Sequence, residues 1–184
     1  MVEKSMPVLV GVGQVTEREF DVDSSSVLDL VEQAVYKAAA DAGISKASLA
    51  DLDSLVMVKS FRESTRNSPE ALANRIGATR ASQWLMPNGG NGPQYLVNRY
   101  SEAIANGESR FVLFAGAEAM ATARKIVKTT GEQPPWQEAA SGDPKFLVED
   151  AELSTLHEQQ HGLWLAPGFY AMSENARRHQ LGLS

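Results

Sequence analysis

Two short segments of the chain combine residue types that could take part in chemistry, and a glycine-rich turn is the first of them. The turn reads Asn-Gly-Gly-Asn-Gly over residues 88–92 and is followed by Pro93. Proline is favoured at the first position of a helix, so the turn should lead straight into a helix amino terminus. Such a terminus favours an anion or an oxyanion, through its unpaired N–H groups and its dipole. We therefore predict a ligand-binding loop, with a plain tight turn as the alternative; its residues are Asn88, Gly89, Gly90, Asn91, Gly92 and Gln94.

The second segment is His157-Glu158-Gln159-Gln160-His161, which has the His-Glu-x-x-His spacing of zinc peptidases. That chemistry needs both histidines on one helical face, the glutamate as a base, and a third metal ligand. Gly162 interrupts the helix at once, and Glu174 is the one downstream carboxylate that could serve. A polar helix end in a surface region is therefore the favoured interpretation. A metal site at His157 and His161 is the less favoured alternative.

A third pattern, Gly11-Val12-Gly13, matches only part of a dinucleotide-binding fingerprint. The complete fingerprint needs a third glycine that opens a helix directly after the strand. Thr16 stands in that place, and the charged stretch 17–23 follows it. We interpret these glycines as allowing a neighbouring backbone to come close, not as binding a nucleotide.

The elements that must position these residues alternate between strand and helix patterns. Helix signals include Ser24–Ser26 as a cap, Ser68-Pro69 at a second start, and glycines at the predicted ends. Strands are predicted over 8–15, 52–58, 82–86 and 111–115, and helices over 27–42, 68–76 and 93–106. Alternation of this kind predicts an α/β fold with layered elements and a mixed, mostly parallel sheet.

Beyond residue 116 the pattern becomes irregular. Prolines and glycines are concentrated over 131–144, and helix-compatible stretches cover 117–127, 149–161 and 170–181. We therefore divide the chain into an α/β core, residues 1–116, and a loop subdomain, residues 117–184.

Composition limits the classes of function. The chain has 184 residues and a net charge of −6, and it contains no cysteine. An acidic chain without a basic run is a poor match for nucleic acid. The absence of cysteine excludes disulfides, thiolate metal sites and a thiol nucleophile. No apolar run is long enough for a membrane span, so a cytoplasmic location is expected.

The segment from Gly90 to Met120 resembles the thiolase segment that carries the nucleophilic cysteine. In thiolases this cysteine opens a helix that ends in Ile-x-x-Gly, and the strand that follows ends in Gly-x-Glu-x-Met. The matching positions here are Ile104, Gly107, Gly116, Glu118 and Met120. The run 7–14, the helical pattern 27–43 and Glu174-Asn175 also resemble the family. The chain is most similar to thiolase-like proteins of the acetyl-CoA acetyltransferase type, whose Gly-Gly-Asn-x-Pro-Gln loop corresponds to 89–94.

The resemblance implies a five-layer α/β/α/β/α fold of two similar halves that acts on acyl-CoA thioesters in lipid metabolism. It covers the first half only. The nucleophile position falls at Gly90, beside Asn91, and neither side chain can attack a thioester. Thiolase chemistry needs a thiolate for its acyl-cysteine intermediate. The resemblance therefore implies an acyl-CoA ligand without a further cofactor, and either a degenerate protein or non-thiolase chemistry.

The carboxyl end and the partners stay open at this point. Gly182-Leu183 is followed by Ser184, a residue that could cap a further helix. We expect the chain to stop before a second thiolase half, with Ser184 as a natural terminus being the alternative. A non-catalytic structural half is the second functional hypothesis. Its partner would be another copy of the chain or a carboxyl-terminal thiolase half.

Overall fold

A computed structural model describes residues 6–19, 21–150, 152 and 154–183; Ser184 lies outside the described residues. The described chain separates into two compact units, Met1–Glu149 and Asp150–Ser184. The first unit contains helices α1 (Val27–Asp41), α2 (Ser68–Ile76), α3 (Gly92–Ala105) and α4 (Met120–Thr130), strands β1 (Ser54–Val58), β2 (Ser82–Met86) and β3 (Val112–Ala115), and a 3₁₀ turn at Lys46–Asp51.

Local cap signals determine where the helices begin and end. Ser26 caps α1 in a reciprocal pair with Asp29. The Asp29 N–H donates to the Ser26 hydroxyl oxygen at 3.1 Å, and the Ser26 N–H donates to the Asp29 carboxylate at 2.8 Å. Gly77 and Gly107 follow α2 and α3 with φ of 77°. This left-handed conformation costs glycine little, so both helices stop where the sequence predicts.

The sheet has three strands in the order β2-β1-β3, and both strand pairs are parallel. Ser54 is in register with Ser82 and with Val112, so the three strands begin at one edge of the sheet and end at the other. The central strand β1 is almost completely buried. The predicted α/β fold class with a parallel sheet is confirmed.

The predicted strand over residues 8–15 is wrong. These residues form no strand in the structure, and Leu9 is 80% exposed. The segment lies on α1 instead: the Val12 N–H donates to the Asp41 carboxylate at 2.8 Å, and Lys37 donates to the Gln14 carbonyl at 3.2 Å. An apolar β-branched run forms a strand only where another strand supplies its hydrogen-bond partners.

Gly11 and Gly13 allow this segment to approach α1 closely. A Cβ at Gly11 would lie 2.3 Å from the Ala38 carbonyl oxygen, and one at Gly13 would lie 2.0 Å from the Ala34 carbonyl oxygen. Both distances are far below van der Waals contact, so only glycine fits. The interpretation of the Gly-x-Gly pattern as a close backbone approach is confirmed.

Helices cover both faces of the sheet. One face carries the larger core, to which Leu55 and Met57 of β1, Leu72 of α2 and Ile126 of α4 contribute. On the other face Val56 packs with residues of α3, among them Leu96 and Tyr100. Alternate β1 side chains thus point to opposite layers, as the pleat of a strand requires.

Residues 117–149 belong to the first compact unit, although the sequence-based boundary was placed at 116/117. The buried side chains of Ala123, Ile126 and Trp136 attach this stretch to the larger core. The Thr65 hydroxyl donates to the Trp136 carbonyl at 3.3 Å, and the Lys145 carbonyl accepts from the Leu85 N–H at the edge of β2. The part of this stretch that follows α4 has no helix or strand of its own and is held by contacts with distant parts of the chain.

The second unit contains two helices, α5 (Leu156–Gln160) and α6 (Ala166–Gln180). Neither helix has a buried residue among those described. None of the helices in the described part of the chain is long and apolar enough to cross a membrane.

Candidate functional site

The carboxyl ends of the three parallel strands meet at one edge of the sheet. The segments that leave this edge are 59–62 after β1, 87–91 after β2 and 116–119 after β3. Ligands of parallel α/β sheets bind at the carboxyl ends of the strands, so a ligand site is expected at this edge. It includes the predicted glycine-rich turn.

Backbone hydrogen bonds determine the shape of the turn. The Gly92 N–H donates to the Gly89 carbonyl at 3.0 Å, and the Tyr95 N–H donates to the Asn91 carbonyl at the same distance. Asn91 already has helical backbone angles, and its side chain makes no cap bond. The turn therefore ends at the amino terminus of α3, with Pro93 in the first helical turn as the sequence predicts.

Gly90 is the most open position of the turn. Gly90 and Asn91 are exposed, whereas Gly92 is buried against Met86. A Cβ added at Gly90 would meet no atom within 4 Å. A side chain at this position would therefore project into free space at the start of α3, where the family resemblance places a nucleophile.

Glu118 joins the segments that follow β1 and β3. Its carboxylate accepts hydrogen bonds from the Phe61 N–H at 2.8 Å and the Ser60 hydroxyl at 3.2 Å. Its second oxygen accepts from the Ala119 N–H at 3.1 Å. Gly116 leaves little room beside it, because a Cβ there would make a tight contact of 3.2 Å with the Val58 Cβ. These contacts order the loop after β1, a role for Glu118 that sequence reasoning did not identify.

The amino terminus of α3 can polarise a carbonyl group, but the turn has no thiol that could attack the carbonyl carbon. The amino terminus of α3 presents the positive end of a dipole summed over 14 residues. This end suits a carbonyl oxygen that gains negative charge. The predicted residues are contiguous in the chain: Asn88, Gly89, Gly90 and Asn91 precede α3, and Gly92 and Gln94 lie in its first turn.

The turn does not line either of two clefts in the described part of the chain. The larger cleft, about 470 Å³, is lined by Asp53, Ser54 and Ser82 at the amino ends of the strands, together with Arg99 and other residues of α3. The smaller cleft, about 270 Å³, lies between Arg62 and α4. Only one side of α3 is buried, and Val97 on its outer side is 46% exposed.

The His-Glu-x-x-His segment has a different use in the structure. The Thr155 N–H donates to the Glu158 carboxylate at 2.7 Å and the Glu158 N–H donates to the Thr155 hydroxyl oxygen at 3.2 Å, forming the capping box of the five-residue helix α5. Hydrogen bonds from the Thr155 N–H and hydroxyl lower the pKa of Glu158. His161 Nδ1 donates to the His157 carbonyl at 2.9 Å. The described residues contain no group of three or more His, Asp or Glu side chains that could hold a metal ion.

The smaller cleft is a second feature that the sequence did not predict. Arg62 comes from the loop after β1, whereas Arg124 and Lys128 come from α4. The spacing of the latter two places them on one helical face, and this was the available sequence signal. The third cation, about sixty positions away, could not be placed beside them without the fold.

The fold is similar to that of solved thiolase-type structures. One is a monomeric SCP2-thiolase like protein type 1 from Mycobacterium smegmatis, with a TM-score of 0.69 and 30% sequence identity; the match covers 100% of this chain and 32% of that one. Another is the priming β-ketosynthase of the R1128 polyketide biosynthetic pathway, with a TM-score of 0.52 and 21% identity, over 65% of this chain and 43% of that one. At this lower identity the likeness concerns the fold alone.

The present chain spans about a third of the length of the SCP2-thiolase like protein. Neither a protein-family model nor a curated protein matches it. The match to the Mycobacterium smegmatis structure nevertheless extends over the whole chain, including the turn, α3 and the strand that leads to Glu118. The chain therefore has a thiolase-like fold, and the similarity to the SCP2-thiolase like protein supports its assignment to the thiolase-like superfamily.

Proposed function

We propose that this chain binds acyl-CoA thioesters at the Gly/Asn turn, without forming a covalent acyl intermediate. The observation that carries the proposal is the position of the turn, at the carboxyl edge of a parallel sheet and at the amino terminus of α3. The similarity to an SCP2-thiolase like protein, whose match covers the whole chain, supports it.

The residues present determine what chemistry could follow binding. The chain has no cysteine, and Gly90 stands where the family resemblance places the nucleophile. Transfer of an acyl group through an acyl-cysteine is therefore not available to it. Amide hydrogens at the start of α3 would hold the thioester oxygen, which favours ligand binding or a non-covalent reaction such as carbon–carbon cleavage. An acetyl-CoA acetyltransferase activity would need a thiol from elsewhere.

A second candidate is a structural half that pairs with another thiolase-type chain or with a second copy of this one. Its support is the exposed apolar surface of the first unit, which includes Val97 on α3 and Leu9 in the amino-terminal segment. Light scattering over a range of concentrations tests it. A mass that stays at the 19.9 kDa of one chain would count against self-pairing.

Calorimetric titration with acetyl-CoA and longer acyl-CoA esters tests the leading proposal. Gly90→Leu should reduce the affinity at least about tenfold, because the new side chain fills the open space at the turn without straining it. Asn106→Leu, at the opposite end of α3, is the matched control and should bind like the parent. Equal affinities for the parent and the Gly90 variant would contradict the proposed site.

A second variant tests the correspondence with the thiolase nucleophile. Gly90→Cys places a thiol at a helix amino terminus, where the thiol pKa falls and the thiolate fraction rises. We expect its acylation by acetyl-CoA, followed by mass spectrometry, to exceed that of Asn98→Cys on the exposed surface of the same helix. Equal rates for the two variants would show that the turn neither binds the thioester nor activates a thiol.

A further inference from the structure

The smaller cleft of the first unit is lined on its polar side by three cations and an amide. Arg62, Arg124 and Lys128 surround it together with Gln133, and its volume is about 270 Å³. The apolar floor is formed by Ala123, which is buried, and Val127, which is half-buried. The cleft combines a shallow apolar base with a formal charge of about +3 on its walls, given that lysine and arginine are protonated at neutral pH.

These cations are not neutralised within the described part of the chain. Arg62, Arg124 and Lys128 have no carboxylate partner there. The carboxylate next to Arg62 along the chain, Glu63, accepts instead from the Thr65 N–H at 2.7 Å. Arg124 donates only to the Met120 sulfur, a weak acceptor.

Elsewhere in the same unit arginines do find carboxylates. Arg66 pairs with Asp143 at 2.7 Å, and Arg75 lies between Asp29 and Glu32 at 2.8 and 2.9 Å. The chain carries a net charge of −6, so carboxylates are in excess. Three adjacent cations that have no carboxylate partner create a local positive field on an acidic protein. This field attracts small anions.

Helix stability alone does not account for the arrangement. Arg124 and Lys128 are four residues apart on α4, and like charges at this spacing repel. The helix dipole favours Lys128, because it lies in the last turn, but it does not favour Arg124 in the middle of the helix. Arg62 comes from another element, so its approach adds repulsion. A bound anion would remove all of these costs together.

We propose that this cleft binds the diphosphate group of a small molecule. Arginine recognises phosphate through its planar fork of donors, and lysine contributes a point charge. A carboxylate ligand would neutralise only one of the three cations. The negative charge of two linked phosphates is close to the total positive charge of the three side chains. The volume lies just below the usual range for drug-sized ligands, which fits a charged head group on an apolar floor.

This inference goes beyond the proposed function, because no residue of the Gly/Asn turn lines the cleft. An acyl-CoA ester carries a diphosphate as well as a thioester, so the cleft and the turn need separate probes. The two can therefore fail separately. Inorganic diphosphate carries no thioester and probes the cleft alone. An acetyl-pantetheine thioester carries no diphosphate and probes the turn alone.

The test is calorimetric titration of the full chain with sodium diphosphate, and then with inorganic phosphate and ADP. We expect diphosphate to bind more tightly than phosphate, and added NaCl to weaken the binding through screening. Comparable affinities for ADP and free diphosphate would show that the group alone is recognised, whereas tighter ADP binding would identify a nucleotide source. Absence of heat with diphosphate and with ADP would overturn the proposal.

Charge-matched variants separate the site from general attraction. The triple variant Arg62→Gln, Arg124→Gln, Lys128→Gln should lose affinity about a hundredfold, and Arg124→Gln alone about tenfold. The control changes Arg18, Arg99 and Lys145 to Gln, which alters the net charge equally and includes a residue of the larger cleft. It should keep the parent affinity. Equal losses in the two triple variants would refute a specific site, and thermal melting would confirm that both are folded.

Discussion

The two compact units of this chain form helices by the same local rules but differ in what holds those helices in place. The helices α1 and α5 begin with the same kind of reciprocal cap, formed by Ser26 with Asp29 in α1 and by Thr155 with Glu158 in α5. Buried side chains join α1 to the sheet, whereas α5 and α6 have none. Capping thus determines where a helix starts, but burial determines how firmly it is held.

The largest expected effect comes from the centre of the first unit. Leu55 of β1 is completely buried, so Leu55→Ala should lower the free energy of unfolding by about 3 kcal/mol, through lost transfer energy and a cavity. Met172→Ala in α6, where the side chain is 55% exposed, should change it by less than about 0.5 kcal/mol. Urea titration followed by circular dichroism measures both. Similar losses in the two variants would remove the distinction between the units.

A polar contact should have the next largest effect, because it joins distant parts of the first unit. Asp53 accepts from the N–H groups of Phe111 and Arg110 at 2.9 and 2.7 Å, and these two bonds lower its pKa. Asp53→Asn should cost roughly 1–2 kcal/mol at neutral pH, a value discounted for its partial exposure. The exposed Asp51→Asn, which weakens an ion pair with Arg80, should be close to neutral.

The pH dependence of this variant follows from the direction of the shift. A carboxyl group with a lowered pKa stabilises the folded state above its unfolded pKa, and this contribution is lost as the pH falls through the folded pKa. The difference between parent and Asp53→Asn should therefore be full at pH 7 and vanish in acid. A constant difference down to pH 2 would show that the carboxylate charge is not what matters.

The matched caps compare the two units most directly. Ser26→Ala should reduce the free energy of unfolding of the first unit by about 1 kcal/mol. Thr155→Ala removes the same kind of cap, but it should leave that transition unchanged and decrease only the amide protection of α5 in hydrogen exchange. A lowered main transition in the Thr155 variant would indicate that the units unfold together.

The smallest effect should be a gain in stability. Burial raises the pKa of Glu63, and the negative charge of Glu138 raises it further. One of its carboxylate oxygens is buried and has no hydrogen-bond partner among the described residues. Glu63→Gln removes the charge and keeps the oxygen that accepts from Thr65, so the melting temperature should rise by about 2 °C at pH 8. Because an acid with a raised pKa destabilises the folded state only when ionised, the gain should shrink as the pH falls. A loss of stability at pH 8 would contradict this account.

Much of the fold follows from patterns that act over a few residues. The starts of α1 and α3, the glycine ends after α2 and α3, and the strands after residues 53 and 81 all agree with the sequence to within a few positions. The run 8–15 has the same apolar character as a buried strand, and here the prediction failed. This run packs against the backbone of α1 instead. In the sequence, the glycines at 11 and 13 were the signal for this contact.

In the candidate site, too, the local features were predictable from the sequence and the long-range contacts were not. The turn and its position before α3 were predictable, because glycine, asparagine and proline act on the backbone at their own positions. The contacts of Glu118 with Ser60 and Phe61 were not, since they join residues almost sixty positions apart. For the same reason the cleft beside α4 could not be foreseen from either of its two sequence segments.

By itself, then, the sequence determined the alternation of elements, the caps that begin and end the helices, and the absence of a thiol at the turn. Tertiary structure decided which apolar runs are buried, which side of α3 stays open, and which cations share a cleft. The physical reason is range: backbone preferences and capping bonds act within a turn of chain, whereas burial and charge clustering depend on which distant segments meet.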